Sequence, residues 1–143
     1  MKKNHLKFLL ILCLLFLSGC FMKTEKSVII NNTEIKVEIA DTTEKQIKGL
    51  GNKTSLEKNH GMLFTYPDYK IRSFWMKDMN FPIDIIWLAD DQIVGMEKNV
   101  PTQDNKNLTR YYSPKPVNYV LEINANEALE NNFKVGDKIK FNF

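Results

Sequence analysis

Apolar and polar residues alternate along much of the chain, which is the pattern of strands with one buried and one solvated face. Ile35, Val37 and Ile39 are separated by charged residues, so one face of this segment is expected to be buried. The apolar run 28–30 precedes it, and Asn31-Asn32 stands between the two segments. Because asparagine tolerates positive φ, the pattern predicts a β-hairpin.

Further short strands are predicted along the rest of the chain, and turn residues separate several of them. The predicted strands are 62–66, 71–76, 83–89, 93–97, 119–123 and 139–143. The predicted turns are Pro67-Asp68, Asp90-Asp91 and 135–137.

Two short helices interrupt the strands. Thr43 with Gln46 has the form of a capping box, and Gly49 is positioned to end that helix. Asn124 with Glu127 has the same spacing and predicts a second short helix. The fold class predicted is mainly β (α+β), a compact single-domain β-barrel-like fold with one or two short helices.

The stretch 99–117 has almost no apolar periodicity and carries three of the five prolines. It is therefore the longest predicted loop. Long loops in compact domains are frequently functional or mobile.

The first residues resemble an export signal. Lys2, Lys3 and Lys7 precede an uninterrupted apolar run over 8–17, which is about half the length needed to span a membrane. We interpret residues 1–19 as a cleavable lipoprotein signal peptide rather than a permanent transmembrane anchor.

Leu17-Ser18-Gly19-Cys20 resembles the bacterial lipobox, in which the cysteine carries acyl chains such as palmitate after cleavage. Two or three chains give stable anchoring. The expected organisation is residues 20–27 as lipidated cysteine and tether and 28–143 as one β-rich domain. The expected location is extracytoplasmic, with Cys20 lipid holding the domain to a bacterial membrane. The alternative is an ordinary cleaved signal followed by a chance cysteine.

Cleavage changes the chemistry of the domain. Cys13 would leave with the signal and Cys20 would carry lipid, so the domain would keep no thiol for a disulfide, a metal site or a nucleophile. Loss of three lysines changes the balance from 20 basic and 17 acidic residues to 17 of each. Since a nucleic-acid site usually needs a clustered basic face, no nucleic-acid partner is expected.

Five segments in order resemble a small bacterial and archaeal family known as domain of unknown function 192. They are Gly61-Met62-Leu63-Phe64, Phe74-Trp75-Met76-Lys77, Pro82-Ile83-Asp84-Ile85-Ile86, Tyr119-Val120-Leu121-Glu122 and Val135-Gly136-Asp137. The resemblance covers about residues 37–143. It implies a compact, mainly β, commonly exported domain without an established activity, so it carries over no catalytic role and no cofactor.

Two carboxylates fall among apolar residues. Alternation places Asp84 on a strand face with Ile86, and Glu122 on one with Val120. A buried carboxylate must be paired, hydrogen-bonded or protonated. One alternative is an acid/base pair across a cleft. The other is a structural role, in which each accepts backbone N–H groups or pairs with Lys77 or Arg72.

Aromatic residues offer a second kind of site. Trp75, Tyr111 and Tyr112 could line an apolar pocket for a small ligand or a sugar. The alternative is that Trp75 and Trp87 fill the core. The ligand-binding candidates are Trp75, Lys77, Asp84, Tyr111, Tyr112 and Glu122.

Soft ligands give a third hypothesis. His60, Met62, Met76 and Met79 supply one imidazole and three thioethers, a set that favours Cu(I) outside the cytoplasm. Methionine is also an ordinary gap-filler in cores.

The preferred hypothesis is a non-enzymatic envelope domain without a resident cofactor. It would bind a small ligand, such as a glycan or cell-wall fragment, in a cleft between the Trp75 segment and the loop 99–117. The first alternative is a hydrolase of an envelope polymer that uses Asp84 and Glu122. The second is extracytoplasmic Cu(I) binding.

Overall fold

The computed structural model describes residues 25–143. The predicted signal peptide and Cys20 lie outside these residues. The first strand begins at Ser27, the last residue of the predicted tether. Within the described range, no helix is long and apolar enough to cross a membrane.

Nine strands and two short helices form the domain. The strands are β1 (Ser27–Ile30), β2 (Thr33–Ala40), β3 (His60–Lys70), β4 (Ser73–Phe74), β5 (Ile83–Ala89), β6 (Gln92–Val100), β7 (Tyr111–Tyr112), β8 (Val117–Asn124) and β9 (Ile139–Asn142). The helices are α1 (Thr43–Lys48) and α2 (Glu127–Glu130). The predicted mainly β fold with two short helices is confirmed.

Seven strands make one curled sheet in the order β6-β5-β8-β3-β2-β1-β9, and β4 pairs with β7 separately. All neighbours in the large sheet are antiparallel except β2 and β3. The two edge strands approach each other at one end, where Ile93 N–H donates to the Asp137 carbonyl at 3.0 Å. The sheet therefore has the form of a half-barrel.

Two hydrophobic clusters cover the two faces of this sheet. One face, here called the α2 face, buries Ile86 and Leu121 with Phe133, which follows α2. The opposite face, here called the α1 face, buries Ile85 and Val120 with residues outside the large sheet such as Leu50 and Met76. Because both faces are covered, β5 is buried along nearly all of its length.

The predicted hairpin around Asn31-Asn32 is confirmed, and both asparagines have positive φ, at 48° and 67°. Such a turn matches the twist of the strands it joins.

The prediction of a turn at Pro67-Asp68 is wrong. β3 continues to Lys70, and its pairing with β8 is interrupted between Thr65 and Lys70. Because proline has no N–H to donate, it is tolerated in this unpaired stretch. The strand predicted over 71–76 is reduced to Ser73 and Phe74.

Both helix starts differ from the predicted ones. Thr42, not Thr43, caps α1, and its hydroxyl accepts from Lys45 N–H at 3.3 Å. Asn126 precedes α2 in a left-handed conformation with φ of 72°. Asn124 instead donates from its side-chain amide to Glu127 Oε1 at 3.3 Å.

Candidate functional site

Asp84 and Glu122 lie on opposite faces of the sheet. In the register of β5 and β8, Asp84 is opposite Ile123 and Ile85 is opposite Glu122. Since successive side chains point to opposite faces, Asp84 enters the α2 face and Glu122 the α1 face. The proposed acid/base pair is therefore wrong, because the sheet itself separates the two carboxyl groups.

Asp84 is completely buried and serves as an acceptor for backbone groups. Its Oδ1 accepts from Asn99 N–H at 2.7 Å and from Asn126 N–H at 3.2 Å. Its Oδ2 accepts from Ala128 N–H, in the first turn of α2, at 2.9 Å. These bonds tie the end of β6 and the start of α2 to β5, so Asp84 performs the structural role considered for it.

Glu122 has a different environment. It is 4% exposed, and its Oε2 is buried without a hydrogen-bond partner among the described residues. Burial raises the pKa of this carboxyl from 4.5 to about 8. A buried carboxyl with this pKa is mainly protonated at neutral pH and can donate a hydrogen bond.

A small cavity of about 80 Å³ borders the Glu122 side chain, and we call it the Glu122 cavity. Three segments form its walls: α1 with the loop that follows, β3, and the segment 73–79. The lining residues are Gln46, Ile47, Lys48, Gly49, Leu50, Gly51, Phe64, Tyr66, Ser73, Phe74, Trp75, Lys77, Met79 and Glu122.

The end of α1 approaches the carboxyl through glycine. Gly49 has φ of 51° and ψ of −138°. A Cβ built there would lie 3.9 Å from Glu122 Oε2 and 3.4 Å from Phe64 Cζ. Gly49 thus combines a backbone conformation that favours glycine with close approach to Glu122. Gln46 fixes α1 in place, since its Nε2 donates to the Thr65 carbonyl at 2.9 Å.

Aromatic rings also line the cavity. Phe74 packs edge-on against Phe64, with ring centroids 4.7 Å apart. Arg72 lies 3.8 Å from the ring centre of Tyr66, and burial raises the Tyr66 pKa to about 12. Tyr66 therefore stays a neutral hydroxyl over the physiological pH range.

The two tryptophans have different roles. Trp87 is completely buried in the core of the α1 face. Trp75 is 37% exposed, lines the Glu122 cavity and stacks under Arg110, whose guanidinium carbon lies 4.3 Å from the ring centre. The core explanation therefore fits Trp87, whereas Trp75 is partly exposed at the wall of a cavity.

The cleft expected between the Trp75 segment and the loop 99–117 does not form. Tyr112 pairs with Ser73 and Tyr111 with Phe74, so the two-stranded ladder closes these segments against each other. The Glu122 cavity lies instead between the Trp75 segment and α1. Of the six predicted ligand-binding residues, Trp75, Lys77 and Glu122 line it. Asp84 and the two tyrosines do not.

An open groove adjoins the cavity, and we call it the β2 groove. It consists of two connected depressions of about 500 and 540 Å³ that share Glu38, Ile39, Lys45 and Lys53. Lys48, Gly49 and Gly51 line both this groove and the Glu122 cavity. Each depression has a volume within the range of small-ligand sites.

The candidate copper ligands make packing contacts or local hydrogen bonds. Met62 and Met76 belong to the α1-face core, and Met79 packs against it. His60 Nδ1 lies 3.0 Å from the Lys58 carbonyl. Within residues 25–143, no three His, Cys, Asp or Glu side chains are grouped as metal ligands. The copper hypothesis therefore gains no support from this arrangement.

Comparison with known proteins identifies relatives of unestablished function. A 1.22 Å crystal structure of a protein of unknown function from Novosphingobium aromaticivorans DSM 12444 is 30% identical, with a TM-score of 0.74. The alignment covers 80% of this chain and 83% of that one. A Sinorhizobium meliloti 1021 protein, described as a candidate transcription regulator, is 26% identical with a TM-score of 0.75, over 82% of this chain and 92% of that one. A search of curated proteins finds no match.

The family model of domain of unknown function 192, described as "Uncharacterized ACR", matches residues 26–141. The match includes all nine strands almost completely, together with the Glu122 cavity. The chain therefore belongs to the family of domain of unknown function 192.

Proposed function

We propose that this domain is a non-enzymatic small-ligand binding module and that the Glu122 cavity is its binding site. The main observation in support of this proposal is that Oε2 of Glu122 is buried at the wall of a cavity and has no hydrogen-bond partner among the described residues. A buried polar group without a partner costs about 1–3 kcal/mol, and a ligand that accepts its hydrogen bond recovers part of this cost.

The walls favour a ligand with both apolar and polar parts. Phe64, Phe74 and Trp75 supply aromatic surface, while Glu122 and Tyr66 supply hydroxyl donors. Sugars combine an apolar ring face with acceptor oxygens, so a glycan or cell-wall fragment is the proposed ligand class. The cavity takes one substituent, and the adjoining β2 groove takes the rest of the molecule.

The proposed location is the outer side of a bacterial membrane, where acyl chains on Cys20 hold the domain. The lipobox-like sequence 17–20 supports this proposal. The described domain begins at most a few residues after Cys20, so the binding site would operate close to the membrane surface.

Tryptophan fluorescence tests the proposed binding. The chain has two tryptophans, of which only Trp75 lines the cavity. Titration of the full chain in detergent with soluble muropeptides is expected to change the emission. Trp75→Phe is expected to remove this change, because buried Trp87 lies outside the cavity lining.

Variants at two glutamates test whether Glu122 contributes to ligand affinity. Glu122→Leu removes the hydrogen-bond donor and is expected to weaken muropeptide binding at least tenfold. Glu130→Leu is the matched control, because Glu130 is exposed and pairs only with Lys58 among the described residues. Equal loss of affinity in both variants, or no binding by the unmodified chain, would contradict the proposal.

A further inference from the structure

The charges around the Glu122 cavity are unevenly distributed. Lys48 and Lys77 are the two cationic residues in its lining, and Glu122 is its single acid. Neither lysine forms an ion pair with any residue of 25–143, and residues 1–24 contain no acid. The lining therefore contains no ionised carboxylate that neutralises the two ammonium groups while Glu122 is protonated.

Acids near the cavity make contacts with residues other than Lys48 and Lys77. Asp68, near the far end of β3, is paired with Lys70 and Arg72. Asp78 accepts from the Asn105 side chain at 2.8 Å, and Asp41, before α1, is paired with Lys45 at 2.7 Å. The lining of the cavity thus has two lysines without an ion-pair partner among the described residues beside a buried carboxyl group, and such a surface is complementary to an anion.

We propose that the Glu122 cavity recognises a carboxylate group of the ligand. The Glu122 carboxyl donates its proton in a hydrogen bond to that carboxylate, and Lys48 and Lys77 balance its charge. The volume of about 80 Å³ accommodates a small planar group. The body of the ligand leaves past Gly49 and Gly51 into the β2 groove, which both glycines also line. This inference rests on the proposed binding function and narrows its ligand to carboxylate-bearing molecules, acidic sugars among them.

A pair of matched sugars tests the carboxylate directly. N-acetylmuramic acid differs from N-acetylglucosamine by a lactyl ether that carries a carboxylate. Isothermal titration of the full chain in detergent at pH 6.5 is expected to show at least tenfold tighter binding of N-acetylmuramic acid. N-acetylglucosamine 6-phosphate is the third probe, because phosphate is also an oxyanion, and it is expected to bind more weakly than the carboxylate.

Lysine variants test the charge balance. Lys48→Gln and Lys77→Gln are each expected to weaken binding of N-acetylmuramic acid severalfold and to reduce the preference for it over N-acetylglucosamine. Lys134→Gln is the matched control, because Lys134 is exposed and lines neither the cavity nor the β2 groove.

A pH series separates donation by Glu122 from simple charge attraction. Ionised Glu122 repels a carboxylate, so affinity is expected to fall by up to tenfold per pH unit once the carboxyl ionises. Glu122→Gln retains N–H donors and does not titrate, so its affinity is expected to be independent of pH between 6.5 and 9.

The outcomes distinguish failure of the carboxylate inference from failure of the proposed binding function. Equal binding of the acidic and neutral sugars would overturn the carboxylate inference and leave the binding function intact. Tighter binding of the phosphate sugar would overturn the choice of carboxylate. No binding of these sugars or of muropeptides would overturn both.

Discussion

Replacement of Glu122 by glutamine is expected to change how stability depends on pH. In the unfolded chain this carboxyl ionises near its ordinary pKa of 4.5, whereas burial raises the pKa in the folded domain to about 8. Between these values the folded state holds a proton that the unfolded state has released. The free energy of unfolding therefore falls as pH rises through this window.

The magnitude follows from the size of the shift. One pKa unit corresponds to about 1.4 kcal/mol, so the wild-type domain should lose about 4 kcal/mol of stability between pH 5 and 8 through this group. That is a large part of the 5–15 kcal/mol typical of a domain. Pairing with lysine or arginine lowers the pKa values of Asp41, Asp68 and Asp91. The contributions of these three carboxyl groups to the pH dependence of stability therefore lie below about pH 4.

Urea unfolding followed by far-ultraviolet circular dichroism, at each pH unit from 5 to 9, measures this effect. The wild type and Glu122→Gln are compared because the contributions of all other groups cancel in the difference. The variant should gain stability relative to the wild type as pH rises. Parallel curves for the two proteins would refute the reasoning, since they would mean that Glu122 does not titrate differently on folding.

Three further changes give distinct outcomes. Asp84→Ala removes an acceptor of three backbone hydrogen bonds and should destabilise the domain by about 3–5 kcal/mol in the same urea assay, whereas an unchanged midpoint would contradict its bracing role. Gly49→Ala places a Cβ at positive φ beside Phe64 and should cost about 1–2 kcal/mol and weaken muropeptide binding, and unchanged stability and affinity would contradict the close approach of Gly49 to Glu122. Cys20→Ser should abolish incorporation of labelled palmitate in cells and release the protein from the membrane fraction, and retention of label would contradict lipidation at Cys20.

Local patterns were sufficient to predict many of the strands. β5 has the predicted bounds because a run that is apolar except for Asp84 is bordered by Pro82 and by the Asp90 turn, where φ is 53°. The Asn31-Asn32 hairpin was predicted for a similar reason, since both turn residues adopt positive φ. In each case the determining interactions lie within about ten residues.

The error at Pro67 arose because β3 is stabilised by a distant strand. Lys70 regains pairing with Val117 after the interruption, and nothing in the local sequence indicates that contact. A Pro-Asp pair favours a turn only when no neighbouring strand supports an extended backbone.

The candidate site could be predicted only in part. The alternation of apolar and polar residues predicted which neighbours share a strand face with Asp84 and, separately, with Glu122. The register that places Ile85 opposite Glu122 depends on long-range pairing between strands. The contribution of α1 to the cavity was missed for the same reason. Gly49 is the residue in the sequence that could indicate this contribution, because a glycine at a helix end can also allow close approach to a buried group.

The most direct test of the binding site is the ionisation of Glu122 itself, followed by the ¹³C resonance of its side-chain carboxyl in labelled protein. Without ligand, the resonance should titrate with a midpoint near pH 8. With saturating N-acetylmuramic acid the midpoint should rise, because a bound carboxylate favours the protonated form. A midpoint near 4.5 that is insensitive to the ligand would contradict both the buried neutral carboxyl and its role in binding.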